Sequence, residues 1–186
     1  MKDFPITIGF DDARFELKSK IKTTQLIGAV CQGTRLVSIV KKSISIDGDD
    51  ATEVLIELAK QNQKHIQYIL TDTITFGGFN IIDLGEIYNR LKKPIISITE
   101  REVDVELVKK ALIKKFPSTY KNKLQYIINA GDLYETHIKT AGGSSKIYFH
   151  LKGVDFEEVD DLMQKLCIDS KLPEPVRIAH IIGKAF

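Results

Sequence analysis

Two apolar runs of this chain end on carboxylates. Ile6-Thr7-Ile8-Gly9-Phe10 closes on Asp11-Asp12, Ile66-Gln67-Tyr68-Ile69-Leu70-Thr71 closes on Asp72, and a third acidic cluster, Asp47-Gly48-Asp49-Asp50, lies between them in sequence. An unpaired buried charge is strongly disfavoured, so an apolar strand ends on a carboxylate where that group meets solvent, a backbone cap or a cation. A hard divalent metal bound through oxygen is one answer.

Period-two alternation along the first strand puts Asp11 on the face of Thr7 and Gly9, and Asp12 on the face of Ile8 and Phe10. Small Gly9 beside Asp11 leaves room for a ligand; an Asx-turn ending the strand is the competing reading. Asp50-Ala51-Thr52-Glu53 has the spacing of a helix N-cap with its reciprocal carboxylate. A cap at the sheet end still lets Asp50, or its neighbours Asp47 and Asp49, reach a shared metal. Asp72 ends the most apolar strand and is followed by Thr73-Ile74-Thr75-Phe76-Gly77-Gly78-Phe79-Asn80 leading into a helix. Gly77 and Gly78 would let backbone amides approach a phosphate at that helix start, or they serve only as turn residues.

The chain has 186 residues, of which 43% are hydrophobic and 28% charged, enough to bury one core as a single domain spanning 1–186. No stretch approaches the roughly 20 consecutive apolar residues of a membrane span. Met1-Lys2-Asp3-Phe4-Pro5 runs toward a strand rather than a signal peptide, so a cytoplasmic protein with no membrane partner is expected. Cys31 and Cys167 lie far apart with no CxxC or Cys/His pairing, which suggests neither a zinc site nor a disulfide scaffold and reads as two buried small hydrophobes. A formal charge of +2 is compatible with nucleic acid but does not identify it. The lysine pairs at Lys41-Lys42, Lys92-Lys93, Lys109-Lys110 and Lys114-Lys115 fit either a phosphate track or solvated helix faces. Oligomeric state is not fixed by the sequence.

Gln25 to Cys31 and Leu36 to Ile46 read as a hairpin turning at Gly33. Helical periodicity begins at Asp50, with Val54, Leu55, Leu58 and Ala59 on one stripe up to Gln63. Ile66 to Asp72 and Pro94 to Thr99 read as strands, and Phe79 to Leu91 and Val103 to Phe116 as helices. Leu124 to Asn129 and Lys146 to Leu151 are further strand candidates, with the less regular Tyr134 to Lys139 between them and a mobile connection at Ala141 to Ser145. Helices are expected from Asp155 to Leu166, capped by Asp155 and Glu158, and from Pro173 to Lys184. Antiparallel strands followed by β/α units make an α/β fold, a mixed sheet with helices on both faces. Ligands of parallel strands gather at their carboxyl ends.

On the last helix Glu174, Arg177, His180 and Lys184 fall along one stripe, where His180 would join a metal site or orient a phosphate. Gly9-Phe10-Asp11-Asp12-Ala13, Asp47-Gly48 with Asp50-Ala51-Thr52, Ile74-Thr75 with Gly78-Phe79-Asn80, and Pro173-Glu174-Pro175 with Arg177, Ala179 and His180 recur in order. Across essentially the whole chain these resemble an uncharacterised archaeal family, catalogued as a domain of unknown function, that is a relative of endonuclease V.

The resemblance implies a ribonuclease H-like, endonuclease V-like fold and a magnesium- or manganese-dependent nuclease acting on nucleic acid. It carries metal binding to Asp11, Asp72 and Asp50, and a catalytic place beside the metal to His180. Gly77, Gly78, Asn80, Arg101 and Arg177 are the residues expected to contact substrate. Three features depart from endonuclease V. Its aromatic, proline-containing wedge is replaced by Ser43-Ile44-Ser45-Ile46-Asp47-Gly48, and its catalytic lysine aligns onto Glu100 or Arg101. Thr73 also stands where a glycine follows the strand-end aspartate. A non-catalytic nucleic-acid-binding or regulatory module, or a nucleotide-binding protein, are the alternatives on the same scaffold.

Overall fold

The computed structural model describes residues 4–16 and 20–186. Met1-Lys2-Asp3, part of the stretch expected to lead into the first strand, lies outside the described residues. In chain order the elements begin with β1 (Ile6–Asp12), β2 (Thr23–Gln32), β3 (Arg35–Ser45), α1 (Ala51–Lys60), β4 (Tyr68–Asp72), β5 (Thr75–Phe76) and β6 (Asn80–Ile81). There follow α2 (Leu84–Leu91), β7 (Ile95–Thr99), α3 (Val105–Lys115), α4 (Tyr120–Asn129), β8 (Tyr134–Thr140), β9 (Gly143–Lys152), α5 (Phe156–Leu166) and α6 (Glu174–Gly183).

Seven strands form one mixed sheet in the order β3-β2-β1-β4-β7-β9-β8. β1 runs parallel to β4 and β4 to β7, whereas the pairs at both edges are antiparallel. One face is covered by α1 and α2: Ile8, Phe10, Leu26 and Ile69 pack there with Val54, Leu55, Leu58 and Ile87. The other face carries Leu70, Ile96, Ile98 and Phe149 under Val159, Leu162, Met163 and Val176 of α5 and α6. Alternate residues of each central strand thus enter opposite cores, which requires the continuous apolar runs read from the sequence.

The register positions the acidic residues. Gly9 pairs with Leu70 and Phe10 with Thr71 across β1 and β4, so Asp11 and Asp72 sit side by side at the carboxyl ends of neighbouring parallel strands. Both share the face of Gly9 and Leu70, and that face is the one α6 covers.

Several expectations are corrected. Leu124 to Asn129 belongs to helix α4, not to a strand; Lys123 and Ile127, four apart, are its buried residues. Tyr134 to Thr140 is a regular strand, and the expected mobile connection is a hairpin turn after which Gly143, at φ 106°, pairs with Thr140. Phe79 to Ile81 is not helical either. Gly77 and Gly78, at φ 51° and 87°, turn the short β5–β6 hairpin, and α2 starts only after Asp83, whose side chain accepts from the Glu86 amide at 2.9 Å. The expected capping box at Asp50 and Glu53 does not form: Asp50 makes no side-chain cap bond, and Glu53 pairs with Arg90.

Candidate metal centre

Asp11, Asp72 and His180 come together at the carboxyl end of the sheet. One ligand atom from each lies within 4.8 Å of the others. β1 and β4 deliver the two carboxylates, and α6 delivers the imidazole. Pro175 near its start fixes φ where no backbone donor is needed, and the helix then lies so close to β1 that a Cβ on Gly9 would stand 2.3 Å from the Pro175 carbonyl carbon. The space beside Gly9, expected to admit a ligand, is filled by the backbone of α6.

Each Asp11 oxygen is occupied. The Asp12 amide donates to Oδ1 at 2.8 Å, and His180 Nδ1 lies 2.6 Å from Oδ2. Asp72 has no hydrogen bond of this kind among the described residues. Burial, and then the Asp12 charge, push the Asp11 carboxyl up to about 7. Burial, and then the Asp11 charge, push Asp72 up to about 7 as well. Glu100 adds to the negative field on Asp72. A site of this kind disfavours its own ionised state and is relieved by a cation. Two carboxylates with an imidazole beside them are a group that could hold a divalent cation.

Asp50 does not join this group. Its carboxylate accepts from the Ser45 amide at 3.0 Å, the Ser45 hydroxyl at 2.9 Å and Asn80 Nδ2 at 2.6 Å, and these bonds hold its pKa below the ordinary value against the effect of burial. Asn80, expected to touch substrate, is fully buried; its side-chain oxygen accepts from the Ala51 amide at 2.9 Å and so caps α1. Asp47 accepts from the Phe79 amide at 3.0 Å and pairs with Lys115 at 2.6 Å. Asp49 pairs at 2.6 Å with Lys123, whose side chain is 1% exposed and whose ammonium also donates to the Gly48 and Phe79 carbonyls.

The Gly77 amide is likewise taken: it donates to Asp12 Oδ2. Arg177 forms a two-pronged pair with buried Glu174 at 2.6 and 2.8 Å, which anchors the start of α6. Arg101 is exposed on the turn after β7. Thr73, next to Asp72, adopts φ 58°, a left-handed conformation that glycine reaches without strain.

A second feature was not read from the sequence. A cavity of about 690 Å³ begins at Thr73 and runs between Ser97, Thr99, Phe79, Val108, Ile127 and His150. Its walls are mostly apolar, and the Ser97 hydroxyl is buried there without a hydrogen-bond partner. Ser97 sits mid-strand in an apolar run, and a serine that breaks such a run is the only signal the sequence carried.

Residues 6–186 match the family model described as endonuclease dU. The chain belongs to the endonuclease dU family. A UPF0215 protein of Nanoarchaeum equitans is 38% identical over 186 residues, spanning 99% of this chain and 89% of the relative. The crystal structure of a protein of unknown function from Archaeoglobus fulgidus superposes with a TM-score of 0.83 at 27% identity, covering 97% of both chains. Endonuclease V of Ciona intestinalis, solved with a DNA containing inosine, superposes with a TM-score of 0.58 at 12% identity over 95% of this chain and 83% of that one. The endonuclease dU fold seen here is therefore that of endonuclease V, ribonuclease H-like as expected.

Proposed function

We propose that this endonuclease dU family member is a divalent-metal-dependent endonuclease acting on nucleic acid at a deaminated base, with deoxyuridine as the first candidate. The observation that carries the reading is the convergence of Asp11, Asp72 and His180 at the ends of two parallel strands. The family description supports deoxyuridine, and the endonuclease V scaffold supports strand cleavage.

In this reading Asp11 and Asp72 hold the metal, and His180 stands beside it. When bound, the cation would activate the attacking water and offset charge on the leaving oxygen. His180 Nδ1 orients Asp11 and is placed to hold or pass a proton at Oδ2. Asp12, bonded to the Gly77 amide, ties the β5–β6 turn to the metal-bearing strand. The cavity behind Thr73 supports a receptor for a base turned out of its strand, with the free Ser97 hydroxyl to bond it and the apolar walls to exclude water.

The test is calorimetric titration of Mg²⁺ and Mn²⁺ into wild type and Asp72→Ala, followed by cleavage of single- and double-stranded oligonucleotides carrying deoxyuridine or inosine. Wild type is expected to bind metal and cleave; Asp72→Ala is expected to lose both while its stability is unchanged or higher. Cleavage that survives in Asp72→Ala overturns the assignment. Metal binding without cleavage of any substrate overturns the nuclease reading in favour of a binding module.

A further inference from the structure

The depression that exposes Asp11, Asp72 and His180 has two further walls. Arg14 and Phe15 line it from the segment after β1, and Lys184 lines it from the end of α6. Lys184 follows His180 by four residues, so the two side chains leave the same face of the helix. The Arg14 amide donates to the Gly183 carbonyl at 3.2 Å, which joins the two cation-bearing segments. Gly183 permits that approach: a Cβ there would stand 2.6 Å from the Asp12 carbonyl oxygen.

Three carboxylates, Asp11, Asp12 and Asp72, line the same depression. Among the described residues neither Arg14 nor Lys184 forms an ion pair or side-chain hydrogen bond, although the Lys184 charge is near enough to work on Asp11. Lys115, Lys123 and Arg177 are committed to Asp47, Asp49 and Glu174. After β7, Glu100 adds negative charge near Asp72, and exposed Arg101 beside it does not line the depression. A phosphodiester brought to the metal needs cationic contacts, and the cations that line this depression are on α6 and after β1.

We propose that Lys184 and Arg14 grip the phosphates next to the scissile bond, Lys184 reaching them from the end of α6 and Arg14 from the segment after β1. The proposal rests on the nuclease reading for its substrate, but its test does not depend on turnover. A phosphate-contacting cation lowers affinity uniformly when removed and reduces the salt dependence of binding.

The experiment uses a fluorescein-labelled single-stranded oligonucleotide with one deoxyuridine, bound in EDTA and followed by anisotropy across a sodium chloride series. Wild type, Lys184→Ala, Lys184→Arg and Arg14→Ala are compared, with exposed Lys60→Ala as the control for loss of one charge. The slope of log affinity against log salt should fall by about 0.7 for each alanine variant. It should return in Lys184→Arg and stay unchanged in Lys60→Ala. In Mn²⁺, Lys184→Ala should raise KM more than it lowers kcat while calorimetric Mn²⁺ binding is retained. Unchanged slopes in both alanine variants overturn the clamp even if wild type cleaves. Reduced slopes without cleavage by wild type leave the clamp standing and remove the nuclease reading. No binding of the oligonucleotide by wild type, in EDTA or with Mn²⁺ present, removes both.

Discussion

Asp11 and Asp72 are adjacent carboxylates on one face of the sheet, each held near pKa 7 rather than the ordinary 3.8 by burial and by its acidic neighbours. A carboxyl whose folded pKa is raised binds its proton more tightly in the native state. Its contribution to stability is therefore complete below about pH 4 and lost as pH rises toward about 7. In EDTA, wild type should lose stability across that window relative to Asp72→Asn, which carries no charge there. Urea denaturation at a series of pH values measures the difference: the two proteins should converge near pH 4, and Asp72→Asn should be the more stable at pH 7. Added Mn²⁺ should reverse the order at pH 7, because only wild type gains a ligand-linked term. A pH-independent difference would remove the electrostatic origin assigned to these shifts.

Among the elements, the loop from Asp47 to Asp50 shows how an acidic cluster can be structural. The sequence marked three acidic segments as candidates, with Asp72 foremost and a helix cap as the competing role for Asp50, because a carboxylate at the end of a strand and one at the start of a helix look alike in a string of residues. The fold separates them. Asp50 is fastened to Ser45 and Asn80, so Asp50→Ala should lower unfolding stability by about 1–3 kcal/mol through unpaired donors. Calorimetry on the same variant should find Mn²⁺ affinity within about twofold of wild type, a change of under about 0.5 kcal/mol, whereas Asp72→Ala abolishes it. Metal loss in Asp50→Ala would return that residue to the centre. The elements around the second cavity were the least legible. α3 reads as a helix, and packs Val108 and Leu112 toward Ile81 and Ile127, but α4 carries Leu124, Tyr126, Ile127 and Ile128, residues that also suit a strand. What commits α4 is Lys123, a lysine buried by carbonyl partners that lie 44 and 75 residues away in sequence; lysine is seldom found fully buried.

Across the whole molecule, strand alternation, the two helical layers and the pairing of Asp11 with Asp72 followed from local patterns, because each depends on period and register alone. The third member of the centre, His180, is expected there from its helical stripe and the family resemblance, but no local pattern sets how near it comes. His180 meets Asp11 across 169 residues, and that contact depends on how closely α6 can lie on β1. Gly9 sets the distance: Pro175 and Val176 occupy the space where a side chain would stand, with atoms 2.3 and 2.4 Å from an ideal Cβ. These are backbone atoms, so no rotamer change relieves the overlap. Gly9→Ala must therefore push α6 outward, opening the packing of Val176 and Ala179 and carrying His180 away from both aspartates. The expected loss is about 3 kcal/mol or more in unfolding stability, with Mn²⁺ affinity falling in the protein that remains folded. Gly142→Ala, whose Cβ would lie 3.7 Å from the Thr140 hydroxyl, is the matched control and should change neither quantity. If Gly9→Ala keeps both wild-type stability and wild-type Mn²⁺ binding, the docking of α6 on β1 is not what assembles the centre.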